Sequence, residues 1–161
     1  MITIGIDPGT AKTGYGVISS NNGKNELLES GIIVTSKTRR SEERLSTIYG
    51  RVSSLINKFK PRYFVAEQLF FNTNAKTALN VGQARGAILL AASHSNLQCF
   101  EYTPLQVKQA VVGYGRADKK QVKYMVKQIL SIEEKIKDDE ADALAVAICH
   151  VNSYNSKIAE V

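Results

Sequence analysis

The sequence is poor in the residues that build most soft-metal and redox sites. It has two cysteines, Cys99 and Cys149, and two histidines, His94 and His150. Two lone cysteines give neither a disulfide framework nor the paired spacing of a zinc site, and they favour a reduced, cytoplasmic setting. The histidines have no partner at ligand spacing and read as structural, as does Cys149 beside His150. No run approaches the ~20 consecutive apolar residues that a membrane-spanning helix needs. The opening residues MITIGIDPG lack the basic segment and long apolar stretch of a secretory signal. Repeats, low-complexity tracts and linkers are also missing. The 161 residues therefore suit one domain with a core large enough to fold alone. It is expected over 1–154, with a short tail at 155–161.

What is present is an ordinary globular composition, 43% hydrophobic and 22% charged, which argues against disorder. The net charge is +6, from 21 basic and 15 acidic residues, and favours a polyanionic partner. Its distribution says more than its total. Between Thr103 and Gln128 lie Lys108, Arg116, Lys119, Lys120, Lys123 and Lys127 against the single acid Asp118. A solvated helix face is the ordinary alternative for such a run.

Periodicity divides the chain into elements. Residues 2–7 and 14–19 read as strands joined by a loop opening with Pro8-Gly9. Asn21-Asn22-Gly23 is a turn, and 26–35 reads as a third strand with a possible break at Gly31. These three suggest an antiparallel meander. From Ser41 to Phe59, apolar residues step by three and four, which predicts an amphipathic helix capped by Ser41 and stopped by Pro61. Strands at 62–67 and 97–103 flank a helix rich in small residues at 75–93, and helical segments follow at 104–112, 118–131 and 139–151. This order predicts an α/β fold: a mixed sheet of about five strands, three antiparallel and then parallel, with helices on both faces.

Four acids stand out against that frame. Asp7 ends the first strand and Glu67 the fourth, where the two strand ends can be neighbours. Asp139 and Asp142, at i and i+3, share one face of the last helix beside its apolar docking stripe. Asp138 is four residues before Asp142 and would face the same way. Each acid has an ordinary reading as a turn cap, an exposed strand end or a helix-dipole partner. If all four converge, the physics is restrictive. Two like charges ~4 Å apart repel by ~4 kcal/mol at an effective dielectric of ~20. Four cannot stay ionised together without cations or raised pKa values. Oxygen ligands without a histidine or cysteine cluster favour Mg²⁺, with Mn²⁺ as substitute. Two such ions serve displacement at phosphorus. Joined to a basic surface, this predicts a metal-dependent nuclease.

The motifs GIDPGTAKTGYGVI (4–18 with its flanking Ile), VAEQLFF at 65–71, GQARG at 82–86, TPLQVKQAVVGYGRADKKQV at 103–122 and DEADALAVAICH at 139–150 resemble, in this order, the RuvC-type Holliday-junction resolvases. These are small bacterial nucleases of the ribonuclease H-like fold. The resemblance runs nearly end to end. It implies that Asp7, Glu67, Asp139 and Asp142 are the catalytic, metal-binding positions, with two Mg²⁺ per site and Asp7 bridging them. It also implies a homodimer that cuts four-way DNA junctions by paired symmetric nicks in recombination and repair, leaving 5′-phosphate and 3′-hydroxyl ends. In relatives the helix equivalent to 75–93 helps build the dimer contact, where Gly82 and Gly86 would allow close approach. A branch-migration motor of the RuvA–RuvB type is the implied partner, and the bacterial cytoplasm, at the nucleoid, the implied place of action.

Expected DNA contacts are Phe70 and Phe71, then Lys76 and Arg85 on the helix after them, and Lys108, Arg116, Lys119 and Lys120 on the basic segment. By analogy with the family Phe70 is the base-stacking residue, with Phe71 packing beneath it. Lys119, near a helix start, is the candidate for reaching the scissile phosphate. A phosphate-cradling actin-like ATPase is the main rival reading of GIDPGT, but such proteins need a second domain that 161 residues hardly allow.

Overall fold

In the computed structural model, residues 1–68 and 75–159 are described, with side chains through Tyr154. Three strands open the chain: β1 (Ile2–Asp7), β2 (Lys12–Asn21) and β3 (Lys24–Val34). Next come α1 (Ser41–Phe59), β4 (Tyr63–Glu67), α2 (Ala75–His94) and β5 (Gln98–Tyr102). Helices α3 (Pro104–Val112), α4 (Lys119–Ile129) and α5 (Asp138–Ala159) complete it. The sheet order is β3-β2-β1-β4-β5. The first three strands pair antiparallel, whereas β1–β4 and β4–β5 are parallel. This is the mixed five-stranded arrangement that the element pattern predicts.

Side-chain alternation along the strands sends residues to two separate cores. Ile4 and Ile6 of β1 and Phe64 of β4 pack with Ile48 and Val52 of α1 and Ile88 of α2. Tyr63 and Val65 of β4 face the other way and pack with Val107 of α3, Val126 of α4 and Leu144 and Ile148 of α5. Helices thus cover both faces. No helix among the described residues is long and apolar enough to cross a membrane.

Some local expectations need correction. Gly31 does not interrupt β3; the irregularity lies between Val17 and Ile18, which pair with Glu29 and Leu27 and leave Leu28 as the extra residue of a bulge. The N-cap of α1 is Arg40, not Ser41, and its backbone N–H donates to the Glu43 carboxylate at 3.3 Å. Lys60 closes α1 in the left-handed conformation, at φ 46°, before Pro61. Helix α5 runs on to Ala159, well past residue 151.

Both histidines are held by tyrosines. Tyr49 Oη lies 2.9 Å from His94 Nδ1, and Tyr102 Oη lies 2.9 Å from the buried His150 Nδ1.

Candidate active site

Register explains how two acids far apart in sequence meet. Ile6 of β1 lies beside Ala66 of parallel β4, so the next residue on each strand, Asp7 and Glu67, ends its strand at the same edge. Alternation then sets the face. Ile6 points into the α1–α2 core, so Asp7 projects towards α5; Val65 packs on the α5 side, and Glu67 follows it by two.

The first turns of α5 are pressed onto this edge because the sheet offers them no side chains. Gly14 is the β2 partner of Asp7, and a Cβ there would overlap the backbone carbonyl of Asp139. A Cβ at Gly5 would overlap the carbonyl of Ala143. Only glycine lets the helix backbone lie this close. Asp139 is therefore set over the strand pair that carries Asp7, and Asp142 sits one turn further along.

The charges respond to this convergence. Burial pushes the Asp7 carboxyl up from 3.8 to about 7, reinforced by the charges of Asp142, Glu67 and Asp139 and opposed by Lys119. Glu67 is also raised, first by burial and then by Asp142, with Lys119 and Lys108 opposing. Lys119 Nζ lies 3.2 Å from Asp142 Oδ2, and this carboxylate is the main reason that the ammonium holds its proton more tightly than an ordinary lysine. Glu67, Asp142, Lys108 and Lys119 border a cavity of about 200 Å³ floored by Val107 and Val122.

Of the three consecutive acids that open α5, only Asp139 acts on Asp7. The exposed Asp138 turns to Lys123, 2.9 Å away, which lowers its pKa through a hydrogen bond and charge. Glu140 accepts from Ser30 Oγ at 2.6 Å, on β3. As arranged, no three His, Cys, Asp or Glu side chains among the described residues stand close enough together to hold a metal ion. The acids converge closely enough to raise the Asp7 pKa, and the Lys119 ammonium takes up Asp142.

The other expected contacts are spread more widely. Lys108 borders the acidic cavity. Lys76 is exposed at the start of α2, and Arg116 is exposed between α3 and α4. Lys120 lines a different depression, with Tyr124 and Met125. Arg85 is ion-paired with Glu101 of β5. Phe70 and Phe71 lie outside the described residues. Sequence reasoning overlooked Gly5 and Gly14. The available signal was glycine alternating with Tyr15 and Val17 along β2, which leaves one face of that strand without side chains.

A family model described as crossover junction endodeoxyribonuclease RuvC matches residues 3–150. The chain belongs to the RuvC family. A RuvC from Natranaerobius thermophilus is 53% identical over 155 residues, covering 96% of each protein. A RuvC from Pelotomaculum thermopropionicum is also 53% identical, covering 96% of this chain and 94% of that protein. Among solved structures, Thermus thermophilus RuvC in complex with Holliday junction substrate superposes with a TM-score of 0.93 at 36% identity, covering 98% of this chain and 96% of that one. The yeast mitochondrial Holliday junction resolvase Ydc2 has a TM-score of 0.65 at 15% identity, a likeness of fold alone. The RuvC match makes the mixed sheet a ribonuclease H-like fold, as the motifs imply.

Proposed function

We propose that the chain is a structure-selective endodeoxyribonuclease that resolves four-way DNA junctions in recombination and repair, acting from a single domain over 1–154 as a homodimer that makes paired symmetric nicks. The observation that carries this reading is the Asp7 carboxyl. It is lifted to about 7 by burial and by three other carboxylates, on a chain that belongs to the RuvC family. Such a cluster is electrostatically unsatisfied until cations join it.

The donor set is all oxygen and fits a hard divalent cation, Mg²⁺ with Mn²⁺ as substitute. Asp7, Glu67, Asp139 and Asp142 would hold two ions once their side chains turn inward and Asp142 gives up Lys119. When bound, the ions would supply activation of water and stabilisation of the leaving oxygen, giving 5′-phosphate and 3′-hydroxyl ends. The protein's own groups do the rest. Asp7, ionised at the pH of the cell when cations are bound, anchors the site from the rigid end of β1. Lys119, released from Asp142, presents its ammonium to the scissile phosphate. Lys108 borders the same cavity and draws the strand in. Lys76, Arg116 and Lys120 extend the basic surface, Arg85 joins it only by leaving Glu101, and Phe70 and Phe71 take the roles of stacking and packing.

The outer face of α2 supports the dimer. Leu79 and Leu90 are 64% and 49% exposed, and among the described residues nothing beyond the helix's own backbone lies within 4 Å of a Cβ built at Gly82 or Gly86. A twofold dimer matches a twofold substrate. Action at the nucleoid in the cytoplasm, with a RuvA–RuvB-type motor, belongs to the same reading.

The test compares cleavage of a four-way junction with that of a linear duplex of the same sequence, with and without Mg²⁺. Metal-dependent cutting of the junction alone is expected. Equal cutting of the duplex removes the structural selectivity, and cutting in EDTA removes the metal.

A further inference from the structure

A second basic surface begins five residues after Asp7. Lys12, Lys37, Arg44 and Lys76 line an open cleft of about 620 Å³ with Thr10 and Asn80, and among the described residues no carboxylate lines it. It lies between the start of β2, the loop before α1 and the first turns of α2. Among the described residues, no ion pair engages Lys12, Lys37 or Arg44. The contrast with the adjoining arginines is sharp, because Arg39 and Arg40 are neutralised by Glu42 and Glu43.

The cleft is also built, not a chance gathering of mobile lysines. Arg44 Nε donates to Thr35 Oγ1 at 2.9 Å, and the buried Thr35 hydroxyl donates to the Thr10 carbonyl. Thr10 Oγ1 in turn donates to the Asn80 carbonyl at 2.8 Å, and the Thr35 backbone N–H donates to the Ala11 carbonyl at 3.1 Å. This chain of hydrogen bonds ties α1, the loop after Asp7 and α2 together beneath the cations.

We propose that this cleft seats the phosphodiester backbone of a duplex arm, on the side of the acidic site away from Lys108 and Lys119. The proposal rests on the nuclease reading and extends it. A cluster of carboxylates repels DNA over several ångströms, so a strand crossing it must be held by positive charge on both sides. Lys108 and Lys119 supply one side. The cleft supplies the other, joined to Asp7 by the Pro8–Ala11 loop. A rigid, acid-free groove with several cations recognises the closely spaced phosphates of a duplex without reading its sequence.

The test measures binding by fluorescence anisotropy without divalent ions, for a junction and for a linear duplex, between 50 and 200 mM salt. The K12Q/K37Q variant is compared with K24Q/K60Q, which removes two exposed lysines at the opposite end of the sheet. Each lost phosphate contact lowers the log–log salt slope by about 0.9. The slope should therefore flatten by about 1–2 in K12Q/K37Q, with weaker binding, and stay unchanged in K24Q/K60Q. Equal effects in the two variants, or none in either, overturn the cleft. If the parent protein prefers the junction but K12Q/K37Q behaves like it, the cleft fails and the resolvase reading stands. If the parent has no junction preference while K12Q/K37Q still flattens the duplex slope, the cleft stands and the resolvase reading fails. Failure of the parent to bind DNA defeats both.

Discussion

Strand β1 buries Ile4 and Ile6 among the large side chains of α1 and α2, whereas on its other face Gly5 gives way to α5 and Asp7 meets the helix acids. The first face is closed by interlocking aliphatic bulk. The second is closed by the absence of bulk, so that a helix backbone comes near enough to add charge to charge. One strand thus serves the apolar core at Ile4 and Ile6 and the acidic cluster at Gly5 and Asp7. The two demands can coexist because successive side chains never share a face.

The sharpest way to break this division is Asp7→Asn. It should lower junction cleavage by more than ~10²-fold, beyond what the loss of an outer-sphere partner usually costs, while junction binding survives. Equal loss of both would mean that Asp7 holds the fold or the DNA and not the reaction.

A matched pair of substitutions sharpens the comparison further. Ile4→Ala should cost ~2–5 kcal/mol in chemical denaturation and leave cleavage per folded molecule nearly unchanged. Gly14→Ala should cost about 3 kcal/mol or more, because its Cβ meets the Asp139 backbone and not a flexible side chain. It should also slow cleavage per folded molecule by up to ~10²-fold, because the displaced Asp139 no longer meets Asp7. The reverse pattern would erase the distinction between the faces.

The smallest effect is one of pH. The Asp7 carboxyl titrates at about 7 when folded and at 3.8 when unfolded, so between those values the native state binds the extra proton. Its favourable contribution is complete below pH ~4 and is lost as pH rises to ~7, about 2–4 kcal/mol at most after allowing for solvent screening. The raised Glu67 acts with the same sign, whereas the lowered Glu29 and Asp138 contribute stability that is lost as pH falls. Thermal melts in EDTA should thus show stability falling from pH 5 to 8, a slope that Asp7→Asn flattens. Added Mg²⁺ should raise the melting temperature more at pH 8 than at pH 5. A slope unchanged by the substitution would show that Asp7 does not carry the strain.

Much of this was legible in the sequence because it is local. The apolar step of three and four from Leu45 to Phe59 marks the body of α1 and its C-terminal end, and Thr103-Pro104 marks the start of α3. The neighbouring ends of β1 and β4 follow from the order of strands and helices. What was hidden depends on partners distant in sequence. A glycine at position 14 does not announce which backbone will press on it, and Lys119 and Arg85 do not announce that Asp142 and Glu101 will claim them. The polar residues after Val151 lack periodicity, yet they continue a helix already nucleated by a long apolar stripe.

Helix α5 also leaves the ribosome only after β1 and β4. A nascent chain that has finished β1 and β4 already holds Asp7 and Glu67, but Asp139 and Asp142 arrive only with α5. The proposed cutting centre therefore cannot form on a polypeptide that stops short of α5, and the order of synthesis itself would withhold cutting from such unfinished copies.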